Sequence, residues 1–247
     1  MAEACPICGG TGWKIIERDG ISAAERCSCF FKTMTTGTWA KAGVPENYQR
    51  ASFENFRLPE KSRNPIAHEA MAQAYLAVKG YAREFPAVDK PGLLLIGDPG
   101  TGKTHLAVAA LHAIIERGHH GIFWGYQHLL DSIRAGYDPA SGASDREAYE
   151  EALEAEVLLL DDLGAHRVTE WVEDTVTSLI TYRCNHRKPL IATTNLPDSD
   201  MGADAAGKAA TTLTDRIGMR ARSRLFEMCR IVKMPRVGDY RIQSASR

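Results

Sequence analysis

The chain has 247 residues, of which 44% are hydrophobic and 25% charged, with a formal net charge of −1 at pH 7. That size allows one well-packed α/β domain with a small extra module and falls short of two full domains. The near-zero charge excludes a uniformly basic nucleic-acid binder, so any contact with DNA must come from a local patch. No apolar run approaches the roughly 20 residues of a membrane helix, and neither a basic start nor an apolar signal core opens the sequence. The expectation is a cytoplasmic protein without membrane contact.

Cysteine usage marks the beginning of the chain. Four of the 6 cysteines, Cys5, Cys8, Cys27 and Cys29, crowd into its opening stretch as C-x-x-C in "CPICGGTG" and C-x-C in "CSC". In a reducing compartment this spacing favours a metal over disulfides. Four thiolates suit a closed tetrahedral Zn²⁺ site; a redox pair or an iron–sulfur cluster is the alternative. Such a zinc would be structural, because four sulfur ligands leave no open position, and it would fold a segment too small to build a core. The expected organisation is a zinc module over 1–35, a linker over 36–65 and the main domain over 66–247. The linker mixes prolines, polar residues and a few aromatics, and reads as a connector that packs in places.

From Ile66, "AHEAMAQAYLAVKGYAREF" repeats apolar residues at helical spacing and stops before Pro86. Buried-strand and helical runs then alternate. "GLLLIG" precedes a helix through about Arg117, and "GIFWG" precedes helical patterns around Leu129 and Ala148. "VLLLDD" precedes a helix near Glu173 to Arg183, and "PLIATTN" closes the series. Apolar strands alternating with helices imply an α/β fold with a parallel, doubly wound sheet.

"GDPGTGKT", Gly97 to Thr104, matches G-x-x-x-x-G-K-[ST] between an apolar strand and a helix, the context this phosphate-binding loop requires. The expected nucleotide contacts run through Gly97, Asp98, Pro99, Gly100, Thr101, Gly102, Lys103, Thr104 and His105. Glycines let backbone N–H groups turn toward phosphate oxygens, and the helix N-terminus adds partial positive charge. Lys103 would reach the β- and γ-phosphates of ATP, and Thr104 would offer its hydroxyl to Mg²⁺. "VLLLDD" ends in two carboxylates at a strand tip expected to neighbour the loop's strand. Asp161 suits the metal, and Asp162 the water that attacks the γ-phosphate. At the end of "IATTN", the Asn195 amide can bond the γ-phosphate or orient that water.

Taken together, "GDPGTGKTHLAVAAL", "VLLLDDLG", "IATTN" and "SRLFEMCRIVKMPRVGDYR" resemble the DnaC/IstB group of AAA+ ATPases, most of all replicative helicase loaders of the DnaC and DnaI type. The resemblance covers about Ala42 to Arg241. It implies that Asp161 coordinates Mg²⁺, that Asp162 or its partner activates water, and that Asn195 senses the γ-phosphate. It further implies an ATP-formed homo-oligomer in which an arginine completes the neighbour's site. Arg224 is the first candidate for that finger, Arg220 a supporting interface arginine and Arg216 the reserve. Arg241 resembles a nucleotide-sensing arginine. The stretch after Asn195 leaves no room for the full helical lid of wider AAA+ proteins. Asp162 stands where many of them carry Glu, which suits a slow switch stimulated by DNA or a partner.

The resemblance implies loading of a replicative DNA helicase onto single-stranded DNA, with the zinc module gripping the helicase. Trp124, Tyr126 and Arg134 are the candidates for DNA contact, against the plainer reading that aromatics beside a strand belong to the core. An IstB-like transposition helper is the nearest alternative. A small-molecule P-loop kinase and a non-enzymatic zinc DNA-binding module are more distant ones. Cys184 and Cys229 are expected in the core.

Overall fold

The computed structural model describes residues 5–9, 11, 13–18, 21–27, 41–135, 144–198, 211–238 and 240. Near the start, β1 (Trp13–Arg18) and β2 (Ile21–Arg26) form an antiparallel hairpin in which Trp13 lies opposite Arg26. The main sheet is parallel and five-stranded. It contains β3 (Gly92–Ile96), β4 (Gly121–Gly125), β5 (Val157–Asp161), β6 (Leu190–Thr194) and β7 (Cys229–Lys233), in the order β4-β5-β6-β3-β7.

Two features depart from the sequence expectation. The series does not close at "PLIATTN", because β7 adds a further parallel strand beside β3. The strand ending in Asp161 does not neighbour β3 either, since β6 lies between them.

Helices cover both faces. α1 (Pro65–Glu84) and α2 (Lys103–Ile115) lie on one side; α3 (Tyr126–Ala135), α4 (Ser144–Glu154), α5 (Glu170–Asn185) and α6 (Leu213–Met228) lie on the other. Residue alternation along β3 serves both cores. Leu93 and Leu95 pack with α1 and α2, whereas Leu94 and Ile96 pack with the opposite set, as period-2 side-chain direction requires. Helix starts are set locally. The Asn64 side chain accepts from Ala67 N–H at 2.9 Å with Pro65 in the first turn, and Thr212 and Asp215 form a reciprocal capping box at the head of α6. α6 breaks at Gly218, whose φ of 80° and ψ of 157° are not helical.

The stretch before α1 is more than a connector. Ala42, Val44, Ala51 and Phe53 are buried in the core that α1 and α2 share. Phe123 N–H donates to the Ala42 carbonyl at 2.6 Å, so this segment also covers the outer edge of β4.

Candidate functional site: a phosphate-binding loop facing two aspartates

Parallel α/β sheets place ligands beyond the carboxyl ends of their strands, and here the sequence-predicted residues converge at those ends. The loop after β3 turns through Gly100 and Gly102, at φ 76° and 89°, a region that costs glycine nothing. A Cβ on Gly102 would stand 2.7 Å from the Phe56 ring, so the loop is pressed against the segment before α1. Gly97 N–H donates to the Thr194 carbonyl at 3.2 Å. The Asp98 carbonyl accepts from Lys103 Nζ and Thr101 Oγ1, both at 2.8 Å. Lys103 is only 5% exposed, so the loop itself holds its ammonium.

Thr104 Oγ1 donates to Asp161 Oδ1 at 2.9 Å, although β6 lies between β5, which ends in Asp161, and β3, which leads into the loop. The helix carrying Thr104 crosses over β6 and brings the hydroxyl to the neighbouring strand tip. Thr193 Oγ1 donates to the same Asp161 oxygen at 2.6 Å and accepts from Asp162 N–H at 3.0 Å. Asp162 has a φ of 56°, the left-handed region, and Asn195 Nδ2 donates to its Oδ1 at 3.0 Å. Burial raises the Asp161 carboxyl above its ordinary value; the hydroxyls of Thr193 and Thr104 work against that and the charge of Asp162 adds to it.

These groups suit Mg²⁺, a hard cation that takes oxygen ligands. The Thr104 hydroxyl and the Asp161 carboxylate already touch, Asp162 adjoins them, and a divalent charge there would relieve the crowding of two acids.

The cleft measures about 1240 Å³. One wall is the loop from Pro99 to His105 with Asp162 and Asn195. Tyr48, Phe56, Leu58 and neighbours before α1 form a second wall. Val237, Gly238 and Tyr240 complete it, with Tyr240 N–H donating to the Gly100 carbonyl at 3.2 Å. Sequence reasoning passed over these outer walls. The clue available was the spacing of Tyr48, Phe53 and Phe56 between prolines. His105 borders the cleft, but its Nε2 bonds the Ser52 carbonyl at 3.0 Å and its ring meets Phe56 edge-on.

The arginines of α6 differ sharply. Arg224 is exposed and paired with Glu227 at 2.7 Å, and Arg220 is exposed. Arg216 is half-buried and donates to the His166 carbonyl at 3.3 Å. None of the three lines the cleft of its own chain. Tyr126 is 1% exposed and belongs to the core, which removes it as a DNA-stacking candidate. Trp124 Nε1 donates to Glu151 at 3.2 Å, and the Arg134 guanidinium lies 4.8 Å from the Trp171 ring centre. Cys229 is fully buried and Cys184 packs partly buried against the same core.

At the hairpin, the sulfurs of Cys5, Cys8 and Cys27 all lie within 4.8 Å of one another, with Cys5 and Cys27 at 3.8 Å. Thiolates bound tetrahedrally at about 2.3 Å lie about 3.8 Å apart, so this cluster fits zinc. The fourth expected ligand, Cys29, and the sensing candidate Arg241 lie outside the described residues.

The sheet order, phosphate-binding loop and paired aspartates define a P-loop nucleotide-binding fold of the AAA+ type. A family model described as IstB-like ATP binding protein matches residues 85–243, and the chain belongs to that family. It is 25% identical over 216 residues to the uncharacterized protein YqaM of Bacillus subtilis, covering 84% of this chain and 61% of that one. It is 22% identical over 158 residues to the replicative helicase loader DnaC of Escherichia coli, covering 64% of this chain and 60% of that one. The chain thus spans about three fifths of these relatives' length. A crystal structure of the DnaC helicase loader superposes with a TM-score of 0.62 at 28% identity, covering 77% of this chain and 100% of that one.

Proposed function

We propose that this protein is a Mg²⁺-dependent ATPase that loads a replicative DNA helicase onto single-stranded DNA. The observation that carries the ATPase reading is that Lys103, Thr104, Asp162 and Asn195 line one cleft, with Asp161 hydrogen-bonded to Thr104 and Asp162 to Asn195. Likeness to DnaC in sequence and structure supports the loader reading.

In this reading the loop amides and Lys103 bind the β- and γ-phosphates, and Thr104 and Asp161 hold the metal, which neutralises charge on the phosphate oxygens. Asp162 takes or orients the proton of the attacking water, and Asn195 bonds both Asp162 and the γ-phosphate. Phosphoryl transfer is mostly positioning and electrostatics, so an arginine from a neighbouring subunit, Arg224 or Arg220, completes the site across a homo-oligomer interface. The cysteine cluster, closed by zinc, folds the hairpin into a grip for the helicase.

Affinity capture of the purified full chain with its replicative helicase, with and without ATP and single-stranded DNA, tests the loader reading. ATP-dependent capture is expected, and deletion of residues 1–31 should abolish it while ATP binding persists. Capture unchanged by the deletion would sink the grip assignment. The family match supports a second reading, an ATP-binding transposition helper; capture of a transposase instead of a helicase would select it.

A further inference from the structure

Thr193 lies on β6 two residues before Asn195 and is fully buried. Its hydroxyl is committed in both directions: it donates to Asp161 Oδ1 at 2.6 Å and accepts from Asp162 N–H at 3.0 Å. A hydroxyl has one proton, so these two bonds fix its rotamer and its polarity together. We propose that Thr193 is a positioning residue that sets the two consecutive aspartates for metal and water, an assignment that rests on the ATPase reading above.

Three observations carry the proposal. First, Thr193 and Thr104 donate to the same oxygen, Oδ1, so neither hydrogen bond occupies Oδ2, the oxygen left to face a cation. Carboxylates bonded by hydroxyl donors are held more firmly than neutral acceptors, which fixes the direction in which Oδ2 points. Second, Asp162 sits in the left-handed region, which disfavours a residue carrying a Cβ. The bond from its N–H to Thr193 helps keep it there, and that turn is what brings the Asp162 side chain to Asn195 and the cleft. Third, the neighbouring threonine does a different job. Thr194 Oγ1 donates to the Leu163 carbonyl at 2.8 Å and accepts from Leu196 N–H at 3.1 Å, fastening the loop behind the aspartates without touching either carboxylate. The pair "TT" therefore splits into one residue that orients acids and one that fastens backbone.

Thr193→Val keeps the shape and removes both bonds; Thr193→Ser keeps both. The test measures affinity of the full chain for a non-hydrolysable ATP analogue in EDTA and across a Mg²⁺ titration, alongside Mn²⁺ binding by electron paramagnetic resonance. With EDTA, Thr193→Val should match the wild type, because the phosphate-binding loop is intact. The Mg²⁺ concentration giving half the metal-dependent gain should rise about tenfold, the loss expected for one charge-assisted hydrogen bond. Mn²⁺ affinity should weaken in parallel, and Thr193→Ser should stay within about twofold of wild type. If Thr193→Val does not fold, Thr193→Ala carries the same expectation. A wild-type Mg²⁺ titration in the Val or Ala variant, an equal loss with EDTA, or failure of Ser to restore the titration overturns the Thr193 assignment alone. A wild type that does not bind the analogue with Mg²⁺ overturns the ATPase reading and this proposal with it.

Discussion

Arg222 grips Asp198 with two arms of its guanidinium, Nε and Nη2 each donating to one carboxylate oxygen at 2.6 Å. Asp198 is 5% exposed and follows Asn195 by three residues, while Arg222 sits on α6 with its guanidinium 4.6 Å from the Phe226 ring centre. The loop that begins at Asn195 is therefore fastened to the helix that carries Arg216, Arg220 and Arg224. Of the arginines in "MRARSRL", Arg222 is the one committed within its own chain to a buried carboxylate.

Breaking this pair should be costly. Arg222→Ala removes both guanidinium bonds from the buried Asp198 carboxylate, and stability in urea should fall by about 3 kcal/mol. Arg222→Lys should recover less than half of that, because an ammonium cannot reproduce the two-armed fit. Full recovery by lysine would show that charge alone matters here.

Within the cleft, binding and turnover should separate. Lys103→Ala removes the buried ammonium and should abolish ATP binding. Asp162→Asn keeps an acceptor for Asn195 but not the base, and should bind ATP normally while turning over about a hundredfold more slowly. Isothermal titration with ATP and phosphate-release assays on the same preparations distinguish the two outcomes.

A trans-acting arginine predicts complementation. Arg224→Ala and Asp162→Asn should each hydrolyse ATP only slowly alone, yet a mixture should regain activity at interfaces where an intact arginine meets an intact Asp162. If Arg220→Ala complements and Arg224→Ala remains active, Arg220 is the finger.

His112 supplies a pH dependence. Its ring is buried, with Nδ1 bonded to the Ala51 carbonyl at 3.0 Å, and burial holds its pKa below the ordinary 6.5. The unfolded chain takes up this proton as pH falls through about 6.5, and the folded chain resists it. The contribution is intact above that pH and is lost below it, so the melting temperature should drop from pH 7 to pH 5. His112→Asn should flatten that slope in calorimetry.

The metal assignment is open to direct measurement. Purified protein should carry about one zinc per chain, and Cys5→Ser, Cys8→Ser, Cys27→Ser and Cys29→Ser should each lose it. Cys184→Ser, on a partly buried helix position, should retain it.

Much of this was legible in the sequence because backbone chemistry ties motif to place. A glycine loop ending in Lys and Thr has to sit between strand and helix, and "VLLLDD" can only be a buried strand delivering acids to its tip. Sheet order was not legible, since each of "GLLLIG", "VLLLDD" and "PLIATTN" is equally apolar and nothing local says which are neighbours. The roles of Thr193 and Thr194 were hidden for a related reason: two identical residues on a strand face opposite ways, and only tertiary contacts tell them apart. Tyr126, a candidate for DNA contact by residue type, is held inward by packing.

The bond from Phe123 to the Ala42 carbonyl has a bearing on solubility. A bare edge strand is a template on which another sheet can grow, and β4 is the end of the sheet. The short segment around Ala42 acts as a selvedge that keeps the fabric from being extended by a stray strand. A truncated chain beginning at α1 would keep every motif residue of the cleft and still lose that finish, and such a fragment should aggregate where the full chain stays dispersed.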